Sequence, residues 1–304
     1  MKGRLPPWFQ KRMPKPSLYN EMKSLVDGLS LHTICESAVC PNQGDCFSQG
    51  TATFLILGDV CTRNCTFCAV QKGIPCPVDE QEPRHLAEAT RLLNLKHVVI
   101  TSVTRDDLPD GGAHHFFEVI TALKDNNKEL TVEVLIPDFG GCFKSLQAVI
   151  GAHPDVVNHN METVPRLYPE VRPMADFWLS MQLLVQAKEL NPGVVTKSGL
   201  MLGLGETKLE VLQVMEELRG VGCELLTMGQ YLQPTIKHHP VVRYVPPEEF
   251  QEYESIGKAM GFCEVASAPL VRSSFNASQL YAKAIAKKVS GKVGKSAKAY
   301  DVHS

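Results

Sequence analysis

Short runs of β-branched and other apolar residues recur along the chain, and stretches of helical period lie between them. Six runs have the length of buried strands: residues 53–57, 97–101, 131–135, 156–159, 194–201 and 225–228. Residues 84–93 and 209–219 are examples of the amphipathic stretches. Strands that alternate with helices pair in parallel, so the pattern predicts βα units. A closed barrel needs eight units, and six indicate an α/β fold with a partial (β/α)6 parallel barrel.

The segments outside the barrel pattern divide the chain into three parts. Residues 1–50 are predicted to form an N-terminal extension: an arm with a short helix up to residue 30, then a loop around a metal centre. Residues 51–265 carry the barrel pattern, and residues 266–304 form a C-terminal segment. Its last part, residues 283–298, holds six lysines among small residues and is predicted to be a frayed helix and tail that could steer an acidic partner.

The composition of the 304 residues excludes several classes of protein. The chain has 44% apolar residues and 21% charged residues, as an ordinary globular protein does. Its net charge of −2 gives no overall electrostatic attraction to nucleic acid or to a membrane. No apolar run reaches the length of a bilayer span, and the N-terminus lacks the apolar region of a secretory signal. We therefore expect a cytoplasmic protein, which we take to be a monomer.

Ten cysteines are more than a protein of this kind needs, and six of them lie between Cys35 and Cys68. Clustered cysteines in a reducing compartment indicate metal or redox chemistry. The other four are scattered and are predicted to be small buried apolar side chains: Cys76, Cys142, Cys223 and Cys263.

Cys61, Cys65 and Cys68 lie on the predicted loop after the first strand, with the spacing CxxxCxxC. A cubane iron–sulfur cluster normally takes one thiolate per iron, so three leave one iron open for chemistry. The alternative is a zinc knuckle with Cys76 as its fourth ligand. Zinc ribbons favour two separated CxxC pairs, which this segment lacks.

Cys35, Cys40 and Cys46 form a second set of three, with the spacing CxxxxCxxxxxC. This spacing fits neither a zinc finger nor a ferredoxin. Two separate sets of three thiols are difficult to explain by packing alone, and each set lacks one ligand.

CxxxCxxC with an aromatic residue before its last cysteine resembles the radical S-adenosylmethionine (SAM) superfamily. The preceding CxxxxCxxxxxC set narrows the resemblance to the lipoyl synthase family, and the likeness covers nearly the whole chain. Two departures are visible, Ala268 where the family usually has glycine and Phe275 where it has tyrosine. Neither departure lies at a cysteine of the two sets. Further matching segments are residues 101–112, 158–164, 197–206, 228–234 and 266–277.

The resemblance implies a barrel of the radical SAM type with an N-terminal cluster-binding extension. It implies two 4Fe–4S clusters and the insertion of sulfur at C6 and C8 of a protein-bound octanoyl-lysine, with two SAM consumed per turnover. The set at Cys35, Cys40 and Cys46 would be the sulfur donor. The implied partners are octanoylated lipoyl carrier domains, namely 2-oxoacid dehydrogenase E2 subunits and the glycine cleavage H protein, and an electron donor of the ferredoxin or flavodoxin type. A biotin synthase type of sulfur-inserting enzyme and a zinc-stabilised binding protein are the alternatives.

Polar residues at predicted strand ends are expected to bind SAM, because chemistry gathers at the carboxyl ends of parallel strands. These are Thr101 and Ser102 after the second strand and Asn160 and Glu162 after the fourth. The turn with Gly199, Gly203 and Glu206 follows the fifth strand, and the superfamily uses a similar turn beside the adenosine; a plain strand-to-helix turn is the alternative.

The remaining polar residues of interest have structural interpretations beside functional ones. The resemblance implies that Ser274 is the fourth ligand of the second cluster, with Ser273 as the alternative. Asp106, Asp107 and Asp110 are predicted to end a strand and cap a helix near residue 113 rather than bind metal. The adjacent His238 and His239 are predicted to lie in a solvated loop.

Overall fold

The structure, a computed structural model, describes residues 5–9, 16–48 and 52–290. Its strands are β1 (His32–Thr33), β2 (Thr53–Ile56), β3 (Val60–Cys61), β4 (Gln71–Lys72), β5 (His97–Ser102), β6 (Thr131–Leu135), β7 (Val156–Asn158), β8 (Val195–Leu202), β9 (Leu225–Gln230) and β10 (Glu264–Ser267). Its α-helices are α1 (Pro16–Gly28), α2 (Ile34–Ser37), α3 (Gln43–Ser48), α4 (Glu82–Leu92), α5 (Ala113–Asn126), α6 (Phe143–Gly151), α7 (Tyr168–Val171), α8 (Phe177–Leu190), α9 (Lys208–Gly220), α10 (Pro247–Ala259) and α11 (Ala277–Val289). Single 3-10 turns occur at Pro7–Phe9, Phe139–Gly141 and Pro165–Leu167.

One eight-stranded sheet dominates the fold, with the strand order β1-β2-β5-β6-β7-β8-β9-β10. All strands from β2 to β10 pair in parallel, and β1 lies antiparallel to β2 at one edge. The six predicted strands and the prediction of a partial parallel barrel are confirmed. The structure adds a seventh parallel strand, β10, which crosses the predicted boundary at residue 265. The three-part division of the chain stays a prediction.

The parallel strands form because their side chains are buried on both faces of the sheet. All four residues of β2 and all six of β9 are buried, as expected for strands covered by helices on one side and by the barrel interior on the other. Helices α4 and α9, predicted from their helical period, are confirmed to within two residues at each end. Successive βα units therefore bring the loops after β2, β5, β6, β7, β8 and β9 to one end of the barrel.

Helix α11 packs on the barrel near the amino ends of the strands. Leu280 and Ala284 are buried against Val156, Val195 and Leu225. The prediction of a frayed helix was wrong as far as residue 289, because apolar packing orders this segment and Lys288 pairs with Glu224 at 2.7 Å. The rest of the predicted lysine-rich tail, residues 291–298, lies outside the described residues.

Two predictions about the cysteine-containing segments need correction. Residues 31–48 were expected to be a loop, but they form β1, α2 and α3, with the Thr33 hydroxyl capping α2 by accepting from the Glu36 amide. Of the four scattered cysteines, Cys223 and Cys263 are buried as predicted, whereas Cys76 and Cys142 are exposed. Cys142 precedes α6 as its N-cap residue, which places it outside the core.

In the described part of the chain, no helix is both long and apolar enough to span a bilayer.

Candidate active site

The loop after β2 carries Cys61, Cys65 and Cys68 and begins with a sharp change of direction. Leu57 has φ 67°, a value rare for a residue with a side chain. Its amide donates to a carboxylate oxygen of Glu82 at 2.9 Å, and its carbonyl accepts from Arg105 at 3.1 Å. These two buried contacts hold the reversed backbone. Beyond it, β3 pairs with β4 and closes the cysteine segment into a loop of its own.

Arg63, between the first two cysteines of this loop, is clamped by two carboxylates. Its guanidinium donates to both oxygens of Asp138 at 2.6 Å and to both oxygens of Asp106 at 2.7 and 2.9 Å. Its amide also donates to the Cys61 sulfur at 3.4 Å. Because Asp106 and Asp138 lie on the loops after β5 and β6, Arg63 ties the cysteine loop to two neighbouring βα units.

The thiols of this loop are partly buried and lie close enough to influence one another. Burial, together with the nearby Cys65 and Cys61 sulfurs, raises the pKa of Cys68 to about 12. Burial likewise raises the pKa of Cys65, which the positive charge of Arg172 partly offsets. A metal that binds here therefore displaces the protons of the thiols, and the resulting thiolates neutralise part of its positive charge.

The second set of thiols lies on α2, on the turn after it and on α3. The Cys40 amide donates to the Cys35 carbonyl at 2.9 Å, so the turn brings the two residues together. Burial raises the pKa of Cys35 to about 12, and the Cys40 and Cys46 sulfurs add to the rise. The buried Asn42 side chain donates to the Leu270 carbonyl at 2.7 Å and so joins this segment to the C-terminal one.

The C-terminal segment brings two serines to the site, and they face different partners. The Thr53 hydroxyl donates to the Ser274 hydroxyl at 2.7 Å, and the Thr53 amide is also hydrogen-bonded to the Cys35 sulfur. The Ser273 hydroxyl instead accepts from the Asn160 side chain at 2.5 Å. Ser274 is therefore adjacent to the N-terminal thiols, whereas Ser273 is directed toward the strand end of β7.

A single cavity of about 480 Å³ joins the two sets of thiols. Both sets contribute to its wall, although Cys46 is not among the lining residues. Gly203 and Glu206, two of the residues expected to bind SAM, also lie outside its wall. The predicted site residues that do line it are Cys35, Cys40, Cys61, Cys65, Cys68, Thr101, Ser102, Asn160, Glu162, Gly199 and Ser274.

The polar strand-end residues have unused hydrogen-bonding capacity on the cavity wall. The Ser102 hydroxyl and the Asn160 side-chain oxygen are buried and have no hydrogen-bond partner among the described residues, whereas the Thr101 hydroxyl donates to the Leu135 carbonyl at 3.1 Å. Glu162 has φ 66° and accepts from the Asn160 amide group at 3.0 Å. Burial raises the pKa of Glu162, and Arg172 and Asn160 act in the opposite direction. Buried groups without partners are expected where a polar ligand binds.

Gly199 lies within β8 and not in the turn that was predicted to carry it, whereas Gly203 lies in the turn after β8. The two glycines therefore have different roles. A side chain at Gly199 would come within 2.7 Å of the Asn160 oxygen, so glycine keeps this part of the wall open. Gly203 has φ 97°, and a side chain there would approach the Arg243 carbonyl to 2.4 Å. The Glu206 carboxylate accepts from the amides of Gly203 and Leu204 at 2.6 and 2.9 Å. Gly203 and Glu206 thus shape the turn from outside the cavity.

The aspartates and histidines of the sequence analysis now have defined partners. Asp110 accepts from the amides of residues 112 and 114 at the start of α5, which confirms its predicted capping role. The histidines were wrongly predicted to be solvated, because their loop packs on the cysteine loop. His238 is half-buried with Nε2 3.1 Å from the Cys68 carbonyl, and His239 is buried with Nε2 2.9 Å from the Leu204 carbonyl.

Two residues of this end of the barrel were missed from the sequence. Arg172 is buried, donates to the Asn160 carbonyl at 3.0 Å and to the Tyr168 hydroxyl at 2.9 Å, and leaves its Nε without a partner. Asp138 follows β6 directly, so its place at a strand end was the available signal. For Arg172, which follows the short α7 in a loop, no such signal exists.

Comparisons with known proteins agree with this arrangement. The model of the radical SAM superfamily matches residues 55–218. A lipoyl synthase of Caldanaerobacter subterraneus subsp. tengcongensis is 55% identical over 277 residues, 91% of this chain and 97% of that protein. A lipoyl synthase of Methylococcus capsulatus is 54% identical over 277 residues, 91% of this chain and 86% of that protein.

Two crystal structures share the fold at low sequence identity. Streptococcus suis SuiB bound to S-adenosylmethionine has a TM-score of 0.54 at 11% identity, over 82% of this chain and 60% of that one. HydG, a maturase of the FeFe-hydrogenase, has a TM-score of 0.53 at 16% identity, over 81% and 55%. These likenesses support the fold alone. The identity and coverage of the sequence relatives show that the chain belongs to the lipoyl synthase family of the radical SAM superfamily.

Proposed function

We propose that two sets of residues divide the work of this enzyme around one cavity. Family membership establishes a radical SAM enzyme that inserts sulfur into octanoyl groups to make the lipoyl cofactor, with SAM and two 4Fe–4S clusters. We assign the SAM-binding cluster to Cys61, Cys65 and Cys68, and the sulfur-donating cluster to Cys35, Cys40 and Cys46. The single observation that supports this division most strongly is the cavity whose wall contains thiols of both sets.

The donor atoms of both sets fit iron–sulfur clusters. All six cysteines are free thiols, and five of them line the cavity. Each set leaves one iron of a cubane without a thiolate. Cys61, Cys65 and Cys68 would hold the first cluster, which would supply the electron for reductive cleavage of SAM. Radical chemistry of this kind is required because no side-chain base can remove the unactivated hydrogens at C6 and C8. Membership of the lipoyl synthase family argues against both alternatives, the zinc-stabilised binding protein and the biotin synthase type of enzyme.

The wall between the two sets is suited to SAM. The Ser102 hydroxyl can donate to the carboxylate of SAM or accept from its amine, and Thr101 lies at the same strand end. The Asn160 side-chain oxygen can accept from the amine or from a ribose hydroxyl. The Glu162 carboxylate supplies a further acceptor, and the bare backbone of Gly199 leaves room beside it. Gly203 and Glu206 would contribute indirectly, by holding the turn that follows β8, the strand that carries Gly199.

We assign Ser274 as the fourth protein ligand of the sulfur-donating cluster. Its hydroxyl lies beside Thr53, whose amide contacts the Cys35 sulfur, whereas Ser273 is bonded to Asn160. An alkoxide is a harder and more basic ligand than a thiolate, so its bond to iron is more readily protonated and released. That property suits a cluster that loses sulfur during turnover.

The substrate, like those of the family, is an octanoyl group on a lipoyl carrier protein. We propose E2 subunits of 2-oxoacid dehydrogenases and the glycine cleavage H protein as the carriers. We further propose an electron donor of the ferredoxin or flavodoxin type and a monomeric enzyme that acts in the cytoplasm.

Replacing each set by alanine tests the division of work. Cys61, Cys65 and Cys68 replaced together are expected to halve the iron of anaerobically purified protein and to abolish SAM cleavage. The same change at Cys35, Cys40 and Cys46 is expected to halve the iron but to keep SAM cleavage and lose sulfur insertion. Lipoyl product from the second variant would contradict the sulfur-donor assignment, and stoichiometric zinc in the unaltered protein would contradict both.

Single substitutions refine the test. Ser274→Ala is expected to change the spectrum of the second cluster and stop sulfur insertion, whereas Ser273→Ala keeps both. The reverse result would move the ligand to Ser273. Cys76→Ala is the matched control, because this exposed cysteine lies outside the cavity wall.

A further inference from the structure

The mouth of the cavity can be located from its exposed lining residues. Val39, Pro41 and Lys72 line the cavity and are exposed to solvent. Gln233 and Pro234, on the loop after β9, line it as well and are half-buried. Three segments, residues 38–41, 69–74 and 232–237, therefore surround the opening, and together they are called the mouth surface below.

The mouth surface carries an unusual concentration of exposed apolar side chains. Ile74 is 95% exposed, Ile236 is 85% exposed and Val39 is 71% exposed. In the described part of the chain these are three of the four most exposed large apolar residues. The fourth, Val289 at 84%, ends α11 near the other end of the barrel. Val39 lines the cavity itself, whereas Ile74 and Ile236 each lie two residues beyond a lining residue, Lys72 and Pro234. Single exposed apolar residues are ordinary, but three beside the lining segments of one opening indicate a contact surface.

Val39 has an unfavourable backbone conformation, and its exposed side chain makes no buried contacts that would offset the strain. It has φ 51° at the end of α2, where its amide donates to the Glu36 carbonyl and the Cys40 amide donates to the Cys35 carbonyl. Helices that end in this way favour glycine at the left-handed position, and a β-branched residue there is strained. Strain of this kind persists at functional sites, which indicates that the exposed valine side chain is used.

The charge of the mouth surface is of one sign. Lys72 and Lys237 are exposed, and none of the three segments contains an aspartate or glutamate. The Lys72 ammonium donates to the Cys65 carbonyl at 2.9 Å, which holds it beside the cysteine loop. A partner that carries acidic groups around an apolar contact area is therefore complementary to the mouth surface in both charge and polarity.

We infer that the mouth surface docks the carrier domain of the substrate, through acidic and apolar groups around its acylated lysine. The inference rests on the proposed function, since the acyl chain reaches the cavity only while it is attached to its carrier. The tether requires the carrier to lie against the mouth during both sulfur insertions. Ile74, Ile236 and Val39 then lose their exposed area to the carrier, and Lys237 guides its approach.

Steady-state kinetics with two acceptors test the inference. An intact octanoylated carrier domain and a short octanoyl-lysine peptide are compared, with dithionite as reductant so that no electron-donor protein is present. The double variant Ile74→Ser with Ile236→Ser is expected to raise the KM for the carrier at least about tenfold and to leave the KM for the peptide unchanged. Lys237→Glu is expected to raise the carrier KM at low salt, and the difference should shrink as salt is added.

Matched controls come from the opposite end of the barrel. Val289→Ser removes an equally exposed apolar side chain, and Lys128→Glu reverses an exposed lysine that precedes β6. Both are expected to leave the two KM values unchanged. SAM cleavage without an acceptor should be the same in all of these variants, which shows that each is folded and loaded with clusters.

Three results would overturn the inference. The carrier KM of the double variant could equal that of the unaltered enzyme, or the KM for the peptide could rise by the same factor. Sedimentation could also show that the unaltered enzyme self-associates and the double variant does not, which would make the mouth surface an interface between copies of this chain. Failure of the proposed function is distinguishable, because the unaltered enzyme would then form lipoyl product from neither acceptor.

Discussion

Replacing Arg63 by alanine is expected to destabilise the protein and to impair the cluster loop at the same time. The guanidinium is buried and makes four charge-assisted hydrogen bonds to Asp106 and Asp138. Burial would raise the pKa of Asp138, but the hydrogen bonds from Arg63 outweigh it and keep this pKa lowered. Without Arg63, the Asp138 carboxylate is a buried charge without a counter-ion.

The size of the effect follows from the burial of the two carboxylates. Removing one partner of a buried ion pair costs about 3–5 kcal/mol, and the side chain of Asp138 is only 2% exposed. Asp106 is 35% exposed, so Asp106→Asn is expected to cost about 1 kcal/mol or less. Arg63→Lys keeps the charge but cannot hold two carboxylates in a fork geometry, and we expect a cost of about 2 kcal/mol.

The assay combines stability with function. Denaturant midpoints of the metal-free proteins give the order Arg63→Ala, Arg63→Lys, Asp106→Asn from least to most stable. Iron content after reconstitution and the rate of SAM cleavage should fall in the same order, because the Arg63 amide also contacts the Cys61 sulfur. An Arg63→Ala protein within about 0.5 kcal/mol of the unaltered one, with full SAM cleavage, would refute the reasoning.

Two further predictions concern groups buried in the barrel. Lys197→Met is expected to lower the unfolding free energy by about 3–5 kcal/mol, because Glu133, 2.6 Å away and fully buried, loses its partner. Adding Glu133→Gln should recover most of the loss in the denaturant midpoint, and a double variant no more stable than the single one would contradict this. Burial, with the charge of Arg172, lowers the pKa of His159 to about 4, below the usual value of 6.5. The unfolded chain therefore binds the proton first, so the unfolding free energy should fall by about 3 kcal/mol between pH 6.5 and pH 4, and His159→Gln should lack this part of the slope in pH-dependent denaturation.

The sequence predicted the elements whose pattern is local. The six strands from β2 to β9 in the main sheet consist of short runs that are mostly β-branched or apolar and are buried on both faces, so their composition alone indicates them. Strand β10, with the residues Glu264–Ser267, lacks such a run. It becomes a strand because β9 offers a free edge for parallel pairing, which no local pattern reveals.

The site was predictable to the same extent and for the same reason. Cys61, Cys65 and Cys68 lie within eight residues of one another, and their spacing is visible in the sequence. The clamp on Arg63 joins residues that are 43 and 75 positions apart, and a single sequence carries no sign of that pairing. The exposure of Cys142 was missed because a cysteine's burial depends on what packs over it, not on its neighbours in the chain.

The second set of thiols depends on the fold more than the first set does. Asn42 of the N-terminal extension bonds to Leu270 across 228 residues of sequence, and Thr53 at the start of β2 bonds to Ser274 across 221. The C-terminal segment therefore meets these residues only when the barrel between them is complete. Contacts of such sequence separation form late, because the chain entropy of closing the loop must be overcome first. Arg63 ties the loop of Cys61 to residues 43 and 75 positions away, and the further contacts of this loop with Val171 and His238 also span fewer residues than those of the second set. We therefore expect a partly folded chain to hold the first set of thiols in place while the second is still incomplete. Because Thr53 and Ser274 are so far apart in the chain, the sequence alone could relate Ser274 to its set only by resemblance, and the contact between these two residues now supports the proposal.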